Sequence, residues 1–158
     1  MITFIEEEQC DLIFISESWE RPSQTLDTVL KLDNYVVISN PHQRRSDKTG
    51  GRPALMINTE KFHVKNLTQS VISIPWMVEI VWCLLTPKNI TNDSVVQKIC
   101  AAAIYSKPGS RKKQVLLDHI AEVYSLMESK YRNISWIFAG DTNDLKLDSI
   151  LLLSNKFK

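Results

Sequence analysis

Glycine and proline are scarce in this chain of 158 residues, at four and six. Collagen-like and low-complexity architectures are therefore excluded. Cysteine is scarcer still: only Cys10, Cys83 and Cys100 occur, far apart in sequence. An odd, scattered set gives neither a disulfide framework nor a zinc spacing, so buried free thiols are expected, as in a reducing compartment. Neither sign of charge dominates. Nineteen Lys and Arg stand against eighteen Asp and Glu, for a net charge of +1. No global field argues for a nucleic-acid or membrane partner, and any electrostatic case rests on local clusters. No apolar run approaches the ~18 residues needed to span a bilayer. The N-terminal MITFIEEEQCDLIF is acidic where a secretory signal would be basic. An intracellular location, nuclear or cytoplasmic, is the expectation, and the N-x-S/T sequons at Asn66, Asn89, Asn92 and Asn133 then carry no weight.

What is present is ordinary for a globular domain: 44% apolar and 23% charged residues. That is enough apolar surface to offset the ordering entropy of one domain. No internal repeat or linker interrupts it. The run Asp11 to Ser16 (DLIFIS) predicts a strand buried on both faces. Met1 to Gln9 before it predicts the end of a helix packed on the sheet. Ser23 to Lys31 predicts a short helix or turn, and Tyr35 to Ser39 (YVVIS) a second strand. His42 to Gly51 is polar and basic with a glycine pair, and predicts a loop. Arg52 to Asn58 and Phe62 to Leu67 predict a hairpin around Thr59 to Lys61. Val78 to Leu85 (VEIVWCLL) and Ile99 to Tyr105 (ICAAAIY) predict strands, with a loop over Pro87 to Ser94 between them.

Lys112 to Tyr131 gives the clearest helical period. Val115, Leu116, Ile120, Val123, Tyr124, Met127 and Tyr131 form one apolar stripe. Asp118, His119, Glu122, Glu128 and Lys130 are expected on the solvent side. Ile134 to Ala139 (ISWIFA) predicts a final buried strand, which stops at Gly140. Strand, helix, strand with an acidic turn after the last strand describes a layered α/β fold. Such folds present chemistry at the C-terminal ends of their strands.

Four features fall at such ends. Glu17 follows the DLIFI strand, where a carboxylate can give Mg²⁺ a hard oxygen ligand; a surface acid or helix-cap partner would look the same. Gly140-Asp141-Thr142-Asn143 puts an acid and an amide two residues apart on one tight turn. The acid can orient or deprotonate a water, and the amide can donate to a phosphate oxygen; an ordinary Asx-turn uses the same residues. Tyr105 ends its strand with a polar tip that can bond a phosphate or a carboxylate, or merely stay wet. The clusters Arg44, Arg45, Lys48, Arg52 and Lys107, Arg111, Lys112, Lys113 suit a polyanion backbone, or a solvated loop and helix start. His42, His63 and His119 have no metal-like spacing and are given no catalytic role.

In this order the features resemble the endonuclease/exonuclease/phosphatase superfamily. D-L-I-F-I-S-E-S-W resembles its strand ending in a metal-binding Glu, and G-G-R-P-A-L-M-I-N its Gly-Gly strand after a basic loop. A-A-A-I-Y-S-K-P resembles its strand ending in an active-site Tyr, and W-I-F-A-G-D-T-N its G-D-x-N turn, with Thr142 where Phe is more usual. The likeness runs from Asp11 to about Leu153. E-S-W and the VEIVWCLL strand resemble, more narrowly, the endonucleases encoded by non-LTR retrotransposons.

The resemblance implies a two-sheet α/β sandwich (DNase I-like) with helices outside, and Mg²⁺-dependent hydrolysis of a phosphodiester, with DNA as the partner and no membrane. Glu17 would ligate the metal, Asp141 would position or activate water, Asn143 would hold the scissile phosphate, and Tyr105 would support it. Arg44, Arg45, Lys48, Lys107 and Arg111 would contact the nucleic acid. A phosphatase or phospholipase-like activity, or a non-catalytic retroelement remnant or binding module, is the alternative. Two departures matter. The superfamily's Asn on a strand upstream, and its acidic strand with an S-D-H turn downstream, have no counterpart in residues 1–158. The expectation is an incomplete sandwich, residues 1–158 forming part of one domain truncated at both ends, with weak or absent activity.

Overall fold

The computed structural model describes residues 5, 7–18, 25–30, 32–40, 52–68, 71–75, 77–89, 98–106 and 110–143. In chain order they form β1 (Leu12–Ile15), α1 (Leu26–Val29), β2 (Tyr35–Ser39), β3 (Ala54–Asn58), β4 (Phe62–Asn66), β5 (Glu79–Pro87), β6 (Lys98–Tyr105), α2 (Ser110–Lys130) and β7 (Ile134–Asp141). The strands make two sheets, in the orders β1-β3-β2 and β4-β5-β6-β7. All neighbours are antiparallel except β6 and β7, which α2 connects as a parallel pair. This is a two-sheet α/β sandwich with a flanking helix.

The apolar runs are long because the central strands bury both faces. On β5, Ile80, Trp82 and Leu84 join the core under α2, while Val81, Cys83 and Leu85 join the core between the sheets. On β6, Cys100, Ala102 and Ile104 face α2, and Ala101 and Ala103 face the other sheet. Each fully buried aliphatic side chain contributes about 1.5–3 kcal/mol. Leu116, Ile120, Val123 and Met127 close the helix-side core, as their spacing predicts.

Several expectations need correction. DLIFIS is not buried on both faces: β1 is half-buried along its length and, among the described residues, pairs only with β3. The ISWIFA strand is likewise mostly half-buried, pairs only with β6 among the described residues, and runs on through Asp141. β3 and β4 are not a hairpin. The turn at Thr59–Lys61 carries the chain from one sheet to the other, so β3 pairs with β1 and β2 while β4 pairs with β5. His119 does not face solvent. It is 2% exposed and sits under α2, where its Nε2 accepts the Trp82 Nε1–H at 3.1 Å. Arg52, grouped with a solvated loop, is also buried. The expected loop over His42 to Gly51 lies outside the described residues.

Candidate active site

Alternation along the second sheet decides what its rim presents. Val81, Cys83 and Leu85 of β5, Ala101 and Ala103 of β6 and Ile137 of β7 point between the sheets. Side chains two apart share a face, so Glu79, Tyr105 and Asp141 lie on that same inner face at one end. The register sets them in one row: Glu79 opposite Tyr105, and Tyr105 opposite Asp141.

Glycine at position 140 is what lets β7 reach this row. Its φ is +137°, and a Cβ there would lie 2.0 Å from the Ile104 carbonyl oxygen on β6. No side chain fits between the strands at that point. The next residues lock the turn. The Ser106 N–H donates to the Asp141 carbonyl at 2.8 Å. Asn143, in the left-handed region at φ 47°, donates its own N–H to Asp141 Oδ1 at 2.9 Å. Its Nδ2 donates to the Ser106 carbonyl at 2.6 Å. This is an Asx-turn, but one tied to the end of β6, so Asp141 and Asn143 are held as a unit beside Tyr105.

Glu17 arrives from the other sheet, through a slip in register. The β1–β3 pairing would set residues 17 and 52 opposite each other. Instead the Ser18 N–H donates to the Arg52 carbonyl at 3.1 Å, one residue further along. Arg52 has φ 68°, an uncommon conformation for a residue with a side chain. One extra residue on one strand is the geometry of a β-bulge, which reverses alternation and re-aims a side chain. Leu12 and Phe14 point between the sheets; strict alternation would turn Glu17 away, whereas it accepts the hydroxyl of Tyr105. Burial, this hydrogen bond, and the negative charges of Glu17, Glu79 and Asp141 all raise the Tyr105 hydroxyl above its ordinary pKa. It is therefore a protonated donor at neutral pH.

Glu17, Tyr105, Asp141 and Asn143 thus come together at one rim, drawn from both sheets. Glu79, which the sequence reading does not name, joins them. An acid in the otherwise apolar VEIVWCLL run was the available signal. Its Oε2 accepts the Arg52 N–H at 2.9 Å. Arg44, Arg45, Lys48 and Lys107 lie outside the described residues, and Arg111 is in the first turn of α2 with its side chain outside them. His63 is exposed on β4 and His119 is buried under α2, so neither stands at the rim.

The donor set suits a hard cation. Among the described residues no three His, Cys, Asp or Glu are placed to hold a metal together. Mg²⁺ needs no cage: one or two carboxylates with retained waters suffice, and the rim offers carboxylates in a row. Beside Glu17 in sequence, the buried Ser18 Oγ has no hydrogen-bond partner among the described residues. No helix among the described residues is long and apolar enough to cross a membrane.

No protein-family model and no curated protein matches the chain in sequence. Solved structures do match in fold. A humanized D. rerio TDP2 superposes with a TM-score of 0.59 at 17% identity, covering 96% of this chain and 56% of that one. A mannosyl-6-phosphatase of Bacteroides thetaiotaomicron gives 0.57 at 16%, covering 98% and 60%. The catalytic domain of human Nocturnin, with a bound sulfate, gives 0.57 at 15%, covering 94% and 56%. The chain spans 56–60% of the length of these structures. Over that span its fold is the DNase I-like two-sheet α/β sandwich.

Proposed function

We propose that this chain carries a phosphoester-hydrolysis site whose substrate is a nucleic-acid phosphodiester and whose cofactor is Mg²⁺. The observation that supports it is the meeting of Glu17, Tyr105, Asp141 and Asn143 at one rim, from three strand ends and two sheets. In this reading residues 1–158 form part of one DNase I-like domain, of the kind the sequence likens to retrotransposon endonucleases.

Glu17 would ligate the metal, and Asp141, the register partner of Tyr105, would hold a water. The bound ion would neutralise charge developing on the phosphoryl oxygens. Tyr105, a protonated donor, aims a hydrogen bond at the carboxylate or at a phosphate oxygen that displaces it. Asn143 keeps one amide proton on Ser106 and has the other to offer to phosphate. Asp141 orients the attacking water, its own geometry fixed by the Asn143 N–H. The basic residues Arg44, Arg45, Lys48, Lys107 and Arg111 would supply phosphate contacts. Among the described residues neither His63 nor His119 stands at the rim to serve as general acid or base; on those residues alone we place the activity low, since loss of such a group costs about 10²–10⁴-fold.

The test is nicking of supercoiled plasmid. The expected result is slow, Mg²⁺-dependent nicking that Glu17→Gln and Asp141→Asn abolish. Nicking indifferent to both substitutions would remove the rim from the chemistry. Duplex DNA binding that weakens steeply with salt supports the nucleic-acid substrate, since each phosphate contact releases counterions. Hydrolysis of small phosphomonoesters without any DNA binding would favour a phosphatase.

A further inference from the structure

We infer that Glu79 is a positioning residue that sets the aim of Glu17; this rests on the role proposed for Glu17 above. Glu79 stands on β5, in the second sheet, yet its Oε2 accepts the Arg52 N–H from the first sheet at 2.9 Å. Arg52 in turn accepts the Ser18 N–H through its carbonyl at 3.1 Å. Glu79, Arg52 and the loop bearing Glu17 therefore form one hydrogen-bonded chain across the gap between the sheets.

The chain runs through the point of strain. Arg52 is buried and has φ 68°, a conformation that persists only where its surroundings over-determine it. It is also where the β1–β3 register slips by one residue and Glu17 is turned inward. A carboxylate on the Arg52 N–H fixes that peptide with a charge-assisted hydrogen bond. Because Glu79 is also the register partner of Tyr105, the same side chain ties the slip to the strand that carries the group Glu17 meets. A surface acid would have no reason to cross between sheets at this residue.

Two conservative substitutions separate reach from charge. Glu79→Gln keeps the length and an oxygen acceptor but loses the charge; Glu79→Asp keeps the charge but is one methylene shorter. Amide hydrogen exchange at Arg52 and Ser18 reads the link directly, and Mg²⁺ titration of the same proteins reads its consequence. We expect Glu79→Gln to leave both amides protected, and Glu79→Asp to speed their exchange by about tenfold or more. Mg²⁺ affinity should then fall further in Glu79→Asp than in Glu79→Gln. Unchanged exchange in Glu79→Asp, or the reverse order of affinities, would overturn the positioning role. If the unmodified chain takes up no Mg²⁺, the proposed function fails, while the exchange pattern still decides whether Glu79 holds the slip.

Discussion

The Tyr105 hydroxyl of one sheet donates to the Glu17 carboxylate of the other, and around this contact the rim is organised. Tyr105 gets there by strand alternation and Glu17 by a slipped register. Asp141 gets there because Gly140 admits the β6 backbone. Each of these arrangements exposes itself to a direct measurement.

Gly140→Ala should be among the most damaging single substitutions in the chain. The added methyl meets the Ile104 carbonyl oxygen at 2.0 Å, an unyielding backbone atom, with φ at +137°. Overpacking and a disallowed backbone together should cost about 3 kcal/mol or more. Urea unfolding checks this; a change below about 0.5 kcal/mol would mean the strands part easily.

The stability of the fold should fall in mild acid because of His119. Burial lowers its pKa from 6.5 to about 4, and its neutral Nε2 accepts from Trp82. Protonation would set two donors face to face. The unfolded chain takes up the proton below about pH 6.5, while the folded chain resists until about pH 4. The contribution is therefore complete above pH 6.5 and is lost as pH falls through 4. At ~1.4 kcal/mol per pKa unit it amounts to roughly 3 kcal/mol. Between pH 7 and 4 the unmodified chain should lose that much more stability than His119→Gln, which can still accept from Trp82. Parallel curves for the two proteins would contradict the assignment.

Thiol chemistry should separate the three cysteines. Cys83 and Cys100 are fully buried in β5 and β6. Burial pushes the Cys83 thiol up to about 12 and the Cys100 thiol up as well. Cys10 is only half-buried. Since the thiolate is the reactive form, Ellman's reagent should titrate one thiol in the native chain at pH 8 and three in guanidinium. Two or three fast native thiols would contradict the packing.

Much of this was legible in the sequence, for physical reasons that differ by element. The helical stripe from Val115 to Tyr131 and the apolar runs at β5 and β6 announce themselves because burial is what makes them apolar. Glu17, Tyr105, Asp141 and Asn143 could be named because each follows an apolar run at a strand end. Their convergence could not be read, since the slip at Arg52 is a pairing event between strands distant in sequence. The turn at Thr59–Lys61 looked like a hairpin because local turn chemistry does not say which sheet the next strand joins. The residue type of His119 suggests solvent, and the partner beside which it is buried, Trp82, lies 37 residues away. Glu79, one acid in an apolar strand, carries no message until its register partner is known to be Tyr105.

Titration of Mg²⁺ by calorimetry into the unmodified chain and into Glu17→Gln tests the central claim most directly. The account predicts saturable binding that weakens by about tenfold or more in the variant, because one of the few carboxylates Mg²⁺ accepts from a protein is gone. Equal affinity in the two proteins, or no binding in either, would contradict it.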